Sequence, residues 1–359
     1  MPLRSIFIGE YTSPRHRGGF LSLINLTKSF GILFVHFVGS ATSYKTTAVV
    51  SMAFPLASMF MMVYTPESPS WLAKQGKHAE CKKAFIWLRG MKEMAELEGL
   101  IQASKKLDQK VIIKKNRIHQ IGTIAKKKEL YKPIILVFAM FFMMNFAGGT
   151  LMGAYAVTVL NLLMGPDVNA HIWMVALDVV RLFFSVISIY VTNKTKRRTL
   201  TFTTAAMSVG STLGLAAYVF IKIKGLLPWD SLWVPGALIS LQALALGLGT
   251  APLPTVIAGE VFPLQYRGLG ASVSIISVSA SIFLVLKTFP ALVSVMGLHG
   301  VYFLHSGTML MCLVVTWFLL PETSDRTLQQ IEEHFRGEPI GYPEADEETK
   351  SFEGLEEVK

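Results

Sequence analysis

Charge is scarce in this sequence. Asp, Glu, Lys and Arg make up 16% of its 359 residues, where a soluble domain carries roughly a quarter, so an ordinary water-facing surface is excluded. Cysteine is scarcer still. Cys81 and Cys312 are too few for a disulfide framework or a cysteine-rich metal site. The opening Met1-Pro2-Leu3-Arg4-Ser5-Ile6-Phe7-Ile8 is too short to span a membrane and lacks the layout of a secretory signal. No nucleotide-binding loop, metal cluster or nucleophile constellation is spelled out. The glycine-rich pieces lie inside apolar segments, where they cannot cradle phosphate. A chain that is not an enzyme, with no cofactor and no metal, is the expectation.

Apolar sequence is abundant, at 52% hydrophobic residues, and it comes in blocks of membrane-crossing length. A span needs about 20 mostly apolar residues to cross about 30 Å of hydrocarbon. Eight blocks qualify: 18–40, 46–65, 133–160, 171–192, 199–222, 232–258, 268–295 and 299–320. Backbone amides cannot stay unpaired in lipid, so the blocks must be helices. The net charge of +10 does not point to nucleic acid, because the excess sits between apolar blocks. Arg15, Arg17, the lysines of 74–128, Lys194, Lys196, Arg197, Arg198 and Arg267 all fall on one side of the predicted topology. By the positive-inside rule that side is cytoplasmic, which puts both termini inside the cell.

The sequence also repeats itself. Gly9-Glu10 and Arg17-Gly18 are separated by six residues, as are Gly259-Glu260 and Arg267-Gly268. Two spans after each copy comes a further echo, Pro66-Glu67-Ser68 and Pro321-Glu322-Thr323. Internal duplication is how many transporters are built. The second copy has four apolar segments ahead of it between residues 133 and 258, and the first has none. This leads to the expectation that about four spans are missing from the front. The predicted organisation is a remnant of an amino-terminal bundle over 1–65, a helical cytoplasmic linker over 66–132, a six-helix bundle over 133–320 and an acidic cytoplasmic tail over 321–359. Within the linker, 77–108 carries a helical pattern. From 338 onward the tail has no apolar face and is expected to be disordered.

Three sets of residues suggest mechanism. The first is the carboxylates and arginines at cytoplasmic helix ends: Glu10, Arg17, Glu67, Arg197, Arg198, Glu260, Arg267 and Glu322. Arginine offers carboxylate a bidentate fork, so these can latch helix ends when an inner gate is shut. The second is Gly247-Leu248-Gly249-Thr250-Ala251-Pro252-Leu253-Pro254. Pro252 and Pro254 remove amide donors from the helix ladder, and broken helices near the membrane centre often line substrate sites. The third is polar residues inside spans: Asn145, Gly148, Gly149, Thr150 and Tyr155 in the third, and the costly charges Lys28, Asp178, Arg181 and Lys287. Asp178 and Arg181 stand three apart and can pair on one helix face.

These motifs resemble the sugar porter family of the major facilitator superfamily. The residues that carry the resemblance are Gly9-Glu10…Arg17-Gly18, Pro66-Glu67-Ser68-Pro69-Ser70-Trp71-Leu72, Lys194…Arg197-Arg198, Gly259-Glu260-Val261-Phe262-Pro263…Arg267-Gly268 and Pro321-Glu322-Thr323…Arg326-Thr327-Leu328. Within that family the pattern is most similar to insect facilitated trehalose and hexose transporters. The resemblance implies an all-α polytopic membrane protein, of which this chain would hold about eight of twelve helices. It also implies sugar contacts at Asn25, Met144, Asn145, Thr150, Tyr155 (a gating tyrosine), Arg181, Thr255 and Val278. Several of these depart from the family pattern: Asn25 stands for a glutamine, Met144 and Asn145 for a glutamine pair, Arg181 for an asparagine, Thr255 for a tryptophan and Val278 for an asparagine. Ser70 stands where the family has arginine, and Asn193 and Lys196 replace an acid and a glycine ahead of the double arginine.

The expected function is facilitative transport of a hexose or a trehalose-like disaccharide across a membrane, the plasma membrane being the expected site. The partners implied are the sugar and the lipid bilayer. Proton-coupled sugar symport is one alternative. Another, because a half-bundle cannot close over substrate, is a non-transporting membrane protein, such as a sugar sensor, a partner-binding protein or a gene-model fragment.

Overall fold

The computed structural model describes residues 11–12, 14–91, 94, 97, 98, 101, 128–165, 167–226, 232–262, 267–324 and 328–336. Glu10, the basic end of the linker and the acidic tail from 338 lie outside the described residues. The described regular structure is helical, with no strand among the described residues. We number the helices α1 (Pro14–Ala41), α2 (Tyr44–Val63), α3 (Pro69–Lys74), α4 (His78–Arg89), α5 (Lys128–Met144), α6 (Thr150–Met164), α7 (Ala170–Lys194), α8 (Arg197–Ile223), α9 (Trp233–Ala245), α10 (Pro252–Glu260), α11 (Arg267–Leu319) and α12 (Leu328–Arg336).

Seven stretches of these helices are long and apolar enough to cross a membrane. The last of them, α11, has 53 residues, about 80 Å of straight helix, far more than one crossing needs. It is two spans. Gly297 leaves helical geometry at φ 69, ψ 173, a conformation other residues avoid. Ser281 bonds Asn145, while His305 packs edge-on against the next residue, Phe146. Ser281 and His305 would be about 36 Å apart on a straight helix, so the two arms fold back on each other at Gly297. The described residues therefore make eight crossings, divided where the sequence divided them. Apolar side chains such as Phe183 and Val186 on α7, Ile276 and Phe283 on the first arm of α11 and Met311 and Phe318 on the second stay exposed. A continuous apolar surface of this kind is suited to lipid rather than water, and the protein is a multi-pass integral membrane protein.

Crossings three to eight form one bundle. Its core has a layer around Leu151, Leu160, Leu215, Val285, Val301 and Tyr302 and another around Leu136, Met140, Phe141, Leu253 and Ile257. Crossings one and two are attached to it asymmetrically. Helix α1 packs against α7, and Ile24 meets Val256 of α10. Helix α2 buries no residue and touches α1 through Phe54 and Phe34, whose rings meet edge-on at 4.9 Å.

The described part of the linker is helical, as its sequence pattern suggested. Ser68 accepts a bond from the Trp71 amide at 3.3 Å and caps α3, with Pro69 in the first turn, where a missing N–H costs nothing. Cys81, Ala84 and Phe85 of α4 bury against Leu72, Ala73 and Leu97. The Cys81 thiol donates to Pro69 O at 3.2 Å, and burial pushes its pKa up, which makes it a packing residue rather than a nucleophile. In the stretch predicted helical over 77–108, α4 ends at Arg89, where Gly90 turns at φ 73, and Met94, Leu97, Glu98 and Ile101 are helical again. The sequence reading missed α12. It buries Ile331 and Phe335 in the layer that holds Leu130, so the first part of the predicted tail belongs to the fold.

Candidate functional site

Two helices of the bundle are broken at the same level, and the breaks adjoin. Asn145–Gly149 forms a π-helical turn between α5 and α6, with Gly148 at φ 90. Leu246–Thr250 forms another between α9 and α10. The second follows from composition. Pro252 has no N–H to give, and the ladder widens so that Ala251 N donates to Leu246 O at 3.2 Å. The glycines let neighbours close in. A Cβ on Gly247 would lie 2.8 Å from Arg181 O on α7, and one on Gly249 would meet Thr204 of α8 at 2.7 Å from Cγ2. At Gly148 the space a Cβ would take is filled by the side chain of Gln242.

A cavity of about 400 Å³ opens where α1 faces these breaks. Asn25, Lys28 and Ser29 line it from α1; Asn145, Gly149 and Leu246 line it from the broken turns and Thr150 from the start of α6; and Arg181 comes from α7. A second cavity of about 380 Å³ runs beside Met152, Asp178, Arg181, Gln242 and Leu246. Arg181 and Leu246 line both, so the two chambers lie side by side.

The polar groups differ in how much bonding capacity they retain. Asn145 spends both amide protons, on Phe141 O at 3.0 Å and Ser281 Oγ at 2.7 Å, and its Oδ1 takes the Thr150 hydroxyl at 2.6 Å. It therefore holds the broken turn in place and presents Thr150, whose oxygen can still accept. Asn25 is half-buried and lines the first chamber directly. Gln242 donates to Thr212 Oγ1 at 3.3 Å, which leaves its carbonyl. Tyr155 lines neither chamber. Its hydroxyl donates to Leu286 O at 3.3 Å and its ring leans on Phe289, which ties α6 to the first arm of α11. Thr255 turns back on its own helix and donates to Pro252 O at 2.7 Å, also outside both chambers.

One charged cluster crosses between the two parts of the fold. Asp178 Oδ1 pairs with Arg181 Nη2 at 3.1 Å, as the spacing of three predicted. Its other oxygen pairs with His36 Nδ1 of α1. Seven residues earlier on α1, Ser29 Oγ meets Ser185 Oγ at 3.1 Å. The two links, 36 to 178 and 29 to 185, fit antiparallel helices in one register, two turns apart. Ser185 in turn donates to Arg181 O at 2.9 Å. The sequence reading singled out neither His36, Ser29, Ser185 nor Gln242. A lone amide in the middle of an apolar span was the signal available for Gln242.

The helix ends at the far side of the bundle hold the second set of predicted residues. Arg197 pairs with Glu260. Glu322 receives the amides of Arg197 and Arg198 at 3.1 and 3.3 Å and that of Ser324 at 2.9 Å. A carboxylate is thus set on the positive end of α8. Arg198 stacks over Trp317 at 5.5 Å and donates to its carbonyl at 3.2 Å. Glu67 is exposed, with no ion-pair partner among the described residues. The side chains of Arg17 and Arg267 lie outside the described residues, as does Glu10.

Residues 1–335 match the protein-family model described as "Sugar (and other) transporter". The chain is 24% identical over 334 residues to the facilitated trehalose transporter Tret1 of Drosophila virilis, covering 92% of this chain and 36% of that protein. It is similar to Tret1 of Aedes aegypti at 24% identity, over 92% of this chain and 41% of that one. The chain thus spans well under half the length of these relatives. The Tret1-2 homolog of Drosophila simulans is 26% identical over 337 residues, 92% of this chain and 67% of the relative. Among solved structures, the proton:xylose symporter XylE bound to 6-bromo-6-deoxy-D-glucose superposes with a TM-score of 0.69 at 18% identity, covering 92% and 70% of the two chains. An inward-open form of XylE from E. coli gives 0.65 at 17%, covering 92% and 68%. These likenesses show a major facilitator fold.

Proposed function

This chain belongs to the sugar (and other) transporter family, and from that premise we propose a carrier that moves a hexose or a trehalose-like disaccharide down its gradient by alternating access. The observation that carries the reading is the central chamber, built by two broken helices of one bundle and closed by α1 of the other. A solute held there touches both parts, so rocking one against the other would expose it to either side. Asn25, Thr150 and Arg181 would contact the sugar, with Asn145 fixing Thr150; Tyr155 and Thr255 would act on helix geometry instead. The boundaries at 65, 132 and 320 mark the bundle remnant, linker, six-helix bundle and tail.

Arg197, Arg198, Glu260 and Glu322 would form the latch of a shut inner gate, together with Glu10, Arg17, Glu67 and Arg267. The ion pair of Arg197 with Glu260 and the seat of Glu322 on α8 support that role. The cluster of Lys194, Lys196, Arg197 and Arg198 supports a cytoplasmic placement of that side, with both termini inside and the plasma membrane as the site of action. The test is uptake of labelled trehalose and glucose into proteoliposomes without a pH gradient. Saturable uptake that survives a protonophore is the expected result. Uptake that collapses with the protonophore would replace facilitation by symport, and no uptake of either sugar would remove the carrier reading.

A further inference from the structure

The charges around the first chamber do not balance. Lys28 and Arg181 both line it, and none of its lining residues is a carboxylate. The acid at hand is Asp178, on the wall of the second chamber, and both of its oxygens are engaged, one by Arg181 and the other by His36. Lys28 therefore has no carboxylate among the described residues. Among the described residues Lys28 and Arg181 thus face the single carboxylate of Asp178, and one positive charge is left without an anion there. Such a charge is costly there unless something opposes it. Arg181 is itself half-used. Its Nη2 lies 3.1 Å from Asp178 Oδ1, yet neither Nη2 nor the Nε on the same edge has a hydrogen-bond acceptor among the described residues. Beside these cations stand neutral sugar-type contacts, the half-buried Asn25 and the acceptor oxygen of Thr150.

We infer that the chamber takes a sugar bearing one carboxylate, a uronic- or aldonic-acid-like solute whose anion sits between Lys28 and Arg181 while its hydroxyls meet Asn25 and Thr150. The inference rests on the sugar-carrier reading and names the chemical class of the cargo. A carboxylate fits better than a phosphate ester. It carries the single negative charge that is missing and offers one oxygen to each of the two cations, whereas a phosphate brings about −1.5 to −2.

The experiment titrates the full chain in lipid nanodiscs with D-glucuronate, D-glucose and acetate. Glucuronate is expected to bind about tenfold or more tightly than glucose, the scale of a charge-assisted contact in a desolvated site. Acetate should compete poorly. Replacing Lys28→Gln should bring the ratio of glucuronate to glucose affinity to within about twofold, and Lys28→Arg, which keeps the charge, should preserve it. Glucose binding as tightly as glucuronate to the unaltered chain would overturn the anion inference and leave the sugar-carrier reading standing. Acetate competing as well as glucuronate would overturn the sugar reading beneath it. If none of the three binds, both are overturned.

Discussion

Pro66-Glu67-Ser68 follows the second crossing and Pro321-Glu322-Thr323 follows the eighth. In the first, the serine does the bonding. Ser68 caps its own short helix α3, Tyr11 donates to Pro66 O at 2.7 Å, and Glu67 points into the open. In the second, the glutamate does it. Glu322 reaches α8, which begins 125 residues earlier in the chain, and closes two of its free amides, while Thr323 is buried. The Pro-Glu-Ser copy is a local cap and the Pro-Glu-Thr copy a tertiary clamp. What differs is the surroundings. The second copy's glutamate takes the amides at the start of α8, whereas the first copy meets the approach to α1 through its Pro66 carbonyl and Tyr11. The contrast extends to whole helices. Helix α2 buries nothing, whereas α8 buries residues along its length from Leu200 to Val219.

The comparison breaks hardest at Arg197. Replacing Arg197→Met leaves Glu260 in a largely buried position without its cation, an expected loss of about 3–5 kcal/mol. Thermal melting of the detergent-solubilised chain reads it. Adding Glu260→Leu to the same chain should recover most of that loss, because a matched apolar pair has no orphan charge; failure to recover would mean that the pair does more than satisfy itself. The second-copy clamp comes next. Glu322→Ala removes the acceptor of two α8 amides and should cost about 1–3 kcal/mol, with faster hydrogen exchange at Arg197 and Arg198. A third contrast uses glycines. Gly247→Ala sets a methyl 2.8 Å from Arg181 O, an overpacking of about 1–3 kcal/mol that should also lower uptake by shifting Arg181. Gly31→Ala in α1 meets nothing within 4 Å, and its melting temperature should hold or rise, as alanine favours helix. Equal effects at the two glycines would erase the difference between the tight bundle and the loosely attached one.

Much of this was legible in the sequence, and the reason is periodicity and local chemistry. Eight apolar blocks gave eight crossings, even where one continuous helical stretch hides the turn at Gly297. Pro252 and the glycines before it announced the break at 246–250 because proline removes a donor wherever it sits. Asp178 and Arg181 pair because three residues make a helix face. Contacts set by tertiary packing were not legible. His36 meets Asp178 across 142 residues, and no local rule links them. Asn145 and Gly148 stood out as polar and small, but that they form a π-helical turn held by Ser281 depends on an arm 136 residues further on. Thr255 and Tyr155 carried expectations from resemblance, and the fold spends their hydroxyls on backbone carbonyls instead. Helix α12 was overlooked because an acidic stretch follows it, and Ile331 and Phe335 are its two buried anchors.

The smallest expected effect is also the sharpest probe of the two motif copies. If the first copy works through its serine, Ser68→Ala should open the start of α3, costing about 1 kcal/mol locally. The amide of Trp71 should then exchange faster with solvent while the amides at the start of α8 keep their protection. Glu67→Gln should leave both exchange rates and the melting temperature where they were, since an exposed carboxylate with no partner among the described residues holds none of them in place. A shift on Glu67→Gln comparable to that on Glu322→Ala would mean that Glu67 grips a helix end in the folded membrane protein, and the two copies would then be clamps of one kind. A shift confined to Ser68→Ala keeps them apart: position beside a helix start, and not the Pro-Glu tripeptide itself, is what turns a carboxylate into a latch.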